Sequence, residues 1–235
     1  MKSTSTYSNS VCGITASSYG TSVPDREQEL AILFLDVRNF TGLMESQPAR
    51  EVIQVVHNLF STFNQVIKKF KGTVVEMAGD SLYAVFGLGT TIKEAANECL
   101  KAAKMMFETI KLFNDTFATL YYGKPLEIGV GIHTGNVVVG CFEFNSRQQL
   151  SIMGLPVNIA SRLQAKTKEL NNDLIVSEEA YRLLQHTESG HEQRIVNLQG
   201  ISAEHQIRLL GKPYFQYSSL PERELDLHYI LAISG

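Results

Sequence analysis

The sequence predicts an α/β fold, an α+β sandwich with a ferredoxin-like βαββαβ core and added αβ units. A continuous apolar run at 30–35 is typical of a strand buried on both faces. Apolar residues then recur at helical spacing over about 47–70. Two more apolar runs follow, joined by the short turn 78–81, as expected for a β-hairpin. The order strand, helix, strand, strand opens a ferredoxin-like core.

The remaining chain continues this alternation. A second long helix is expected over roughly 91–117, and strands are expected near 126–133 and 137–144. A helix should begin near Pro156, because proline suits the first helical turn. The last third is expected to hold a strand at 174–176, a helix from about Ser177, and strands near 194–198 and 205–210.

Composition sets the expected domain boundaries. Residues 1–24 are rich in Ser, Thr, Gly and Tyr, which predicts a flexible N-terminal lead. Residues 25–212 form the predicted domain, and 213–235 are expected to be a C-terminal tail. A chain of 235 residues is long enough for one well-buried domain.

Charge, hydropathy and cysteine content narrow the functional classes. The net charge of −3 offers no basic field for nonspecific nucleic-acid binding, and the aromatic strand motif of RNA-binding domains is missing. The sequence contains no apolar run long enough to predict a membrane span, and its N-terminus does not have the pattern of a signal peptide. Three scattered cysteines favour a reducing interior over a disulfide framework. The expected location is therefore cytoplasmic.

Two aspartates occupy positions that suit a metal site. Asp36 ends the first buried strand, and Asp80 lies in the turn of the hairpin. A strand end and a hairpin turn can meet at one edge of a sheet, where two carboxylates would repel each other without a divalent cation. Oxygen ligands and a triphosphate suit Mg²⁺ or Mn²⁺. From spacing alone, ordinary turn roles for both aspartates explain the pattern equally well.

Four sequence blocks resemble the class III adenylyl and guanylyl cyclases, in the order that this family shows. The blocks are FLDVRNFT at 34–41, AGDSLYAVF at 78–86, GIHTG at 131–135 and GLPVNIASRL at 154–163. The resemblance covers about residues 28–210. It implies the nucleotide cyclase fold and an enzyme that forms a 3′,5′-cyclic monophosphate and pyrophosphate, by attack of the ribose 3′-hydroxyl on the α-phosphate.

The resemblance implies a role for each matching site residue. Asp36 and Asp80, with the backbone carbonyl of Val37, would hold two Mg²⁺ or Mn²⁺ ions per site. Backbone N–H groups after the first strand would bind phosphate oxygens. These groups belong to Asn39, Phe40 and Thr41.

The resemblance assigns the ribose and the transition state to Asn158 and Arg162, respectively. They are four residues apart and so share one face of a helix, where spacing alone would indicate a surface polar pair. Members of the family are head-to-tail dimers. The implied homodimer would join Asp36 and Asp80 of one chain to Asn158 and Arg162 of the other.

The positions that read the base favour guanine. Four residues before the second metal aspartate, adenylyl cyclases usually have lysine, but this chain has Glu76, as in guanylyl cyclases. A carboxylate only accepts hydrogen bonds, so it suits the N1–H and N2–H donors of guanine. Ser151 stands at the second base position and can serve either purine. GTP is the predicted substrate, and ATP in a variant base pocket is the alternative.

One departure from the family pattern supports a non-enzymatic alternative. Gln199 stands where the family usually has a lysine that contacts phosphates. Loss of one charged hydrogen bond would cost about 1.5–3 kcal/mol. A catalytically weak, dimerising regulatory module is therefore the second hypothesis, and the intact pair of Asp36 and Asp80 argues against it.

Overall fold

The computed structural model describes residues 26–118, 125–144, 147–185 and 190–214. The predicted lead, 1–24, and all but the first two residues of the predicted tail lie outside this part of the chain. The elements are β1 (Arg26–Val37), α1 (Phe40–Ser46), α2 (Ala49–Lys69), β2 (Gly72–Ala78), β3 (Ser81–Phe86), α3 (Ile92–Phe113), a π-helical turn (Asn114–Ala118), β4 (Ile128–Phe144), β5 (Arg147–Met153), α4 (Leu155–Glu169), β6 (Leu174–Ser177), α5 (Glu178–Tyr181), β7 (Glu192–Asn197) and β8 (Glu204–Leu209).

The described strands form one mixed sheet in the order β2-β3-β1-β4-β6-β8-β7, with β5 paired to β4. Neighbours in the segment β2-β3-β1-β4 are all antiparallel, as in a ferredoxin-like βαββαβ core. The added αβ units extend the sheet through β6, which runs parallel to β4. The predicted fold class is confirmed.

Helices cover both faces of the sheet, and this explains why β1 is apolar without alternation. Leu33 points to one face and joins a core with Phe63 of α2 and Met106 of α3. Ile32 points to the other face and joins a core with Ala160 of α4. Because side chains alternate along a strand, residues an even number of positions from Ile32 share the face covered by α4.

The structure differs from the sequence-based elements in the middle of the chain. Strands were expected near 126–133 and 137–144, but β4 is a single strand of 17 residues. Gly135 and Asn136, at the expected break, pair with Leu30 and Glu29 of β1 and so stay extended. Neither β5 nor the short helix α1 follows from the sequence pattern.

The cysteine pattern also needs a correction. Cys99 is a free, fully buried thiol, whereas Cys141 is disulfide-bonded. The cysteine count, which indicated no disulfide framework and favoured a reducing interior, did not predict this bond at Cys141. Among the helices of the described ranges, none is long and apolar enough to cross a membrane.

Candidate active site

Asp36 and Asp80 lie beside each other at one edge of the sheet. Asp36 is the penultimate residue of β1, where it pairs with Ser81 of β3 and with Gly129 of β4. The backbone N–H of Val37 donates to the carbonyl of Asp80 over 3.0 Å. This bond fixes the hairpin turn against the end of β1, so the strand end and the turn meet as their order in the sequence suggested.

The two carboxylates form an environment that suits a divalent cation. Burial raises the pKa of Asp36, and the charge of Asp80 raises it further, although a hydrogen bond from Ser81 opposes both effects. Ser81 Oγ donates to Asp36 Oδ2 over 2.7 Å. In the described part of the chain, no third His, Cys, Asp or Glu completes a metal-binding group. Further ligands would therefore come from backbone or substrate oxygens, as hard cations accept.

The start of α1, directly after β1, offers backbone N–H groups that no side chain caps. Asn39 has φ 54° and ψ 31°, and its side chain caps no helical N–H. The N–H groups of Asn39, Phe40 and Thr41 have no intrahelical acceptor, because they belong to the first turn. A Cβ at Gly42 would lie 2.7 Å from Oδ1 of the exposed Asn39 side chain, which would have to rotate to make room for it.

A β-bulge places Glu76 on the face of the sheet that carries Asp36. Val74 pairs with Ala84, but Glu76 pairs with Tyr83, so one extra residue lies between them on β2. In a regular ladder Glu76 would oppose Leu82 and point at the other face. The bulge is therefore the feature that aims the predicted base-reading carboxylate, which is exposed.

Ser151 lies in β5, on the hairpin that extends from β4. It pairs with Gly140, while the next residue, Ile152, packs into the core beneath α4. Because side chains alternate along a strand, Ser151 points to the opposite side of this hairpin and is half-buried. The strand that carries Glu76, β2, contacts β5, but Glu76 shares the face of Tyr83 and Ile152, so Ser151 lies on the opposite face within one chain.

Asn158 and Arg162 lie on the outer face of α4. Both are exposed, whereas Ala160 and Leu163 are buried against the sheet. Within one chain, the predicted ribose and transition-state residues therefore point away from the sheet that carries Asp36. The structure places the predicted metal-binding and phosphate-binding residues at one end of β1 and leaves this pair directed outward.

The close approach of α4 to β4 depends on glycine. A Cβ at Gly131 would overlap the backbone nitrogen of Gln164 and lie 2.6 Å from the carbonyl oxygen of Ala160. A Cβ at Gly135 would lie 2.6 Å from Pro156 Cγ. The glycines of the GIHTG block thus serve helix packing, which sets the position of Asn158 and Arg162.

Ser81 and Tyr83 also lie at the site, although the sequence did not predict a role for either. Both lie in a block that was recognised, but neither was assigned a role. Odd-numbered residues of β3 share a face with Asp36 and Glu76. This placement depends on how β3 pairs with β1 and β2, and the sequence alone does not give that register.

A family model, two relatives and two solved structures match most of the chain. The model described as "Adenylate and Guanylate cyclase catalytic domain" matches residues 23–216. An adenylate cyclase of Anabaena cylindrica is 31% identical over 166 residues, which are 69% of this chain and 32% of that protein. Adenylate cyclase 1 of Rhizobium meliloti is 30% identical over 151 residues, or 64% of this chain and 22% of that protein. The chain thus spans a third or less of these relatives.

The similar solved structures include one adenylyl cyclase and one guanylyl cyclase. The adenylyl cyclase CyaB from P. aeruginosa has a TM-score of 0.69 and 26% identity, covering 84% of this chain and 100% of that one. The guanylyl cyclase Cya2 has a TM-score of 0.71 and 25% identity, covering 83% of this chain and 97% of that one.

Proposed function

The chain belongs to the adenylate and guanylate cyclase catalytic-domain family, and we propose that it converts GTP into 3′,5′-cyclic GMP and pyrophosphate. Glu76 is the observation that carries the choice of guanine. Its exposed carboxylate lies at the bulge of β2, on the same face of the sheet as Asp36. A carboxylate accepts from guanine N1–H and N2–H but meets another acceptor at adenine N1.

Production of cyclic AMP from ATP is the second candidate. Both relatives described above are named adenylate cyclases, and the hydroxyl of Ser151 suits either purine. A site built to pair with polar groups of the base rejects the mismatched base strongly, because buried polar groups are then left unpaired. The choice between GTP and ATP therefore depends on Glu76 more than on Ser151.

We propose that Asp36, Asp80 and the carbonyl of Val37 hold two Mg²⁺ or Mn²⁺ ions. The fit rests on two neighbouring carboxylates, one of which has a pKa raised by burial and by the charge of the other. When bound, such ions lower the pKa of the ribose 3′-hydroxyl and offset the charge that grows on the phosphates. Asp36 and Asp80 would thereby also determine where the triphosphate lies in the site.

Other residues of the chain hold the substrate in place. The backbone N–H groups at the start of α1 bind phosphate oxygens, since anions are favoured at such groups. Asn158 orients the ribose, and Arg162 stabilises the negative charge of the transition state. Because this pair faces outward, we propose that it serves the metal carboxylates of a second copy, in a head-to-tail homodimer with two composite sites. We also propose that the chain works in the cytoplasm, where nucleoside triphosphates are available to it.

The test is a parallel assay of the purified chain with Mn²⁺ and either GTP or ATP, with cyclic product quantified by chromatography. We expect cyclic GMP as the main product, and a shift towards cyclic AMP in Glu76→Lys. Asp36→Asn serves as the control for contaminating cyclases and should give no product. Product mainly from ATP would overturn the base assignment, and none from either nucleotide would favour the regulatory module.

A further inference from the structure

The hydroxyl of Tyr83 is buried and has no hydrogen-bond partner among the described residues. Its side chain is only 7% exposed. Buried polar atoms are almost always paired, because they lose their bonds to water without replacement. An unpaired hydroxyl in a folded domain therefore points to a partner that arrives or moves when the protein works.

The acidic group directly opposite Tyr83 is Glu76. The two residues pair across β2 and β3, and directly opposite residues of an antiparallel pair share a face. Burial raises the pKa of Tyr83 strongly, and the charge of Glu76 raises it further. The phenol therefore stays protonated at neutral pH, and a carboxylate that can accept a hydrogen bond from it lies within electrostatic range.

The ring of Tyr83 is held in place by its neighbours. It stacks on the ring of Phe34, with centroids 4.6 Å apart and an interplanar angle of 4°. The bulge brings Val75 onto the same face, where it packs against the core around Tyr83. The hydroxyl therefore has a fixed position, whereas the exposed side chain of Glu76 is free to change rotamer.

We propose that Tyr83 is a positioning residue for recognition of the base. When the purine binds, the Tyr83 O–H donates to one carboxylate oxygen of Glu76. The remaining lone pairs then face the Watson–Crick edge of the base. Because the donor is already in a fixed position, the Glu76 side chain loses less conformational entropy when the purine binds. The inference rests on the proposed function, since it assumes that Glu76 reads the base.

Tyr83→Phe tests this proposal, because it retains the stacked ring and removes the hydroxyl alone. We expect the KM for GTP to rise about tenfold, as for loss of one hydrogen bond to a charged group. The kcat should stay unchanged, because the base is remote from the reacting phosphate and contributes equally to ground and transition states. The KM for ATP should also stay unchanged. Tyr181→Phe is the matched control, since Tyr181 lies at the end of α5 and its hydroxyl contacts His191 instead of Glu76.

A double-mutant cycle separates positioning from a purely structural role. In a Glu76→Ala background, Tyr83→Phe should change neither KM, because the hydroxyl has no carboxylate to orient. Equal losses for GTP and ATP, or a loss that persists without Glu76, would overturn the inference. So would a weakened dimer with an unchanged preference for GTP, since the hydroxyl would then serve the second copy.

Equilibrium binding of GTP keeps this inference distinct from the proposed function. If the wild-type chain forms no cyclic product, the proposed activity fails, but binding can still be measured by calorimetry. Tyr83→Phe should then bind GTP about tenfold more weakly than the wild type, and ATP equally well. Unchanged binding of GTP, or no preference for GTP in the wild type, would refute the positioning role.

Discussion

Ser81 controls one side of the Asp36 carboxylate. Its hydroxyl donates to Oδ2 over 2.7 Å and so leaves Oδ1 as the less encumbered oxygen. Partners of this kind fix the orientation of a metal-binding group before the ion arrives, and their removal commonly weakens metal binding. Ser81 is thus a candidate positioning residue for the proposed metal site.

Ser81→Ala should weaken Mn²⁺ binding by about tenfold, because Asp36 loses the donor that orients it. The measurement is titration of Mn²⁺ without nucleotide, followed by the paramagnetic signal of the free ion. Ser61→Ala, at an exposed position of α2, is the control and should bind as the wild type does. Equal affinity in Ser81→Ala would show that the backbone alone orients Asp36.

His133 illustrates a residue of a recognised block with a structural role. Its Nδ1 lies 2.8 Å from Ser177 Oγ, and Ser177 also accepts the N–H of Ala180 at the start of α5. Burial lowers the pKa of His133 to about 4. The ring is therefore neutral at pH 7 and holds β4 against the end of β6, where α5 begins, rather than serving as a general acid.

At the scale of elements, helix α4 and strand β4 are bound by a contact that only glycine allows. The approach of Gln164 and Ala160 to Gly131 leaves no room for a Cβ. Added bulk in a close-packed interface forces side chains or backbone to shift. Because α4 carries Asn158 and Arg162, such a shift would move the residues proposed for catalysis as well as weaken the fold.

Gly131→Ala should lower the free energy of unfolding by about 1–3 kcal/mol, as overpacked interfaces do. Urea denaturation followed by circular dichroism measures it. Gly89→Ala is the matched control, because a Cβ there meets nothing within 4 Å, and its stability should be unchanged or slightly higher. If both variants unfold alike, α4 moves away from β4 more easily than the close contact implies.

At the scale of the whole molecule, one chain does not gather every group that the proposed reaction needs. Asp36 and Asp80 meet at one edge of the sheet, while Asn158 and Arg162 are exposed on the outer side of α4. A symmetric dimer with two equivalent contacts would present each pair to the other chain. The outward pair is thus the structural reason to expect composite sites.

Mixing two inactive variants tests this arrangement. Asp36→Asn and Asn158→Ala should each lose activity alone, whereas an equal mixture should recover about one quarter of the wild-type value. About half of randomly formed dimers would be mixed, and each would hold one intact site. The assay is cyclic-product formation after the chains are mixed and allowed to exchange. Absence of recovery, with exchange verified by labelled chains, would place all groups of a site in one chain.

The sequence by itself determined the fold class, most elements and the family. Buried strands and amphipathic helices leave local apolar patterns, as at 30–35 and in α2, and these patterns do not depend on distant partners. The resemblance of the motif blocks implied that Asp36 and Asp80 act together, and the positions of a strand end and a hairpin turn in a βαββαβ core allowed them to meet.

Only the tertiary structure decided the pairing register of the strands and the face of the sheet on which each side chain lies. Gly135 and Asn136 fall between the two strands expected near 126–133 and 137–144, yet they lie within a continuous β4 because β1 supplies their pairing partners. The bulge that turns Glu76 towards the face of Asp36 exists only in the pairing of β2 with β3. Which groups share a face is set by hydrogen bonds between segments far apart in sequence, and a one-residue change of register reverses every side chain. That dependence on distant partners is why the local pattern could not reveal the geometry of the site.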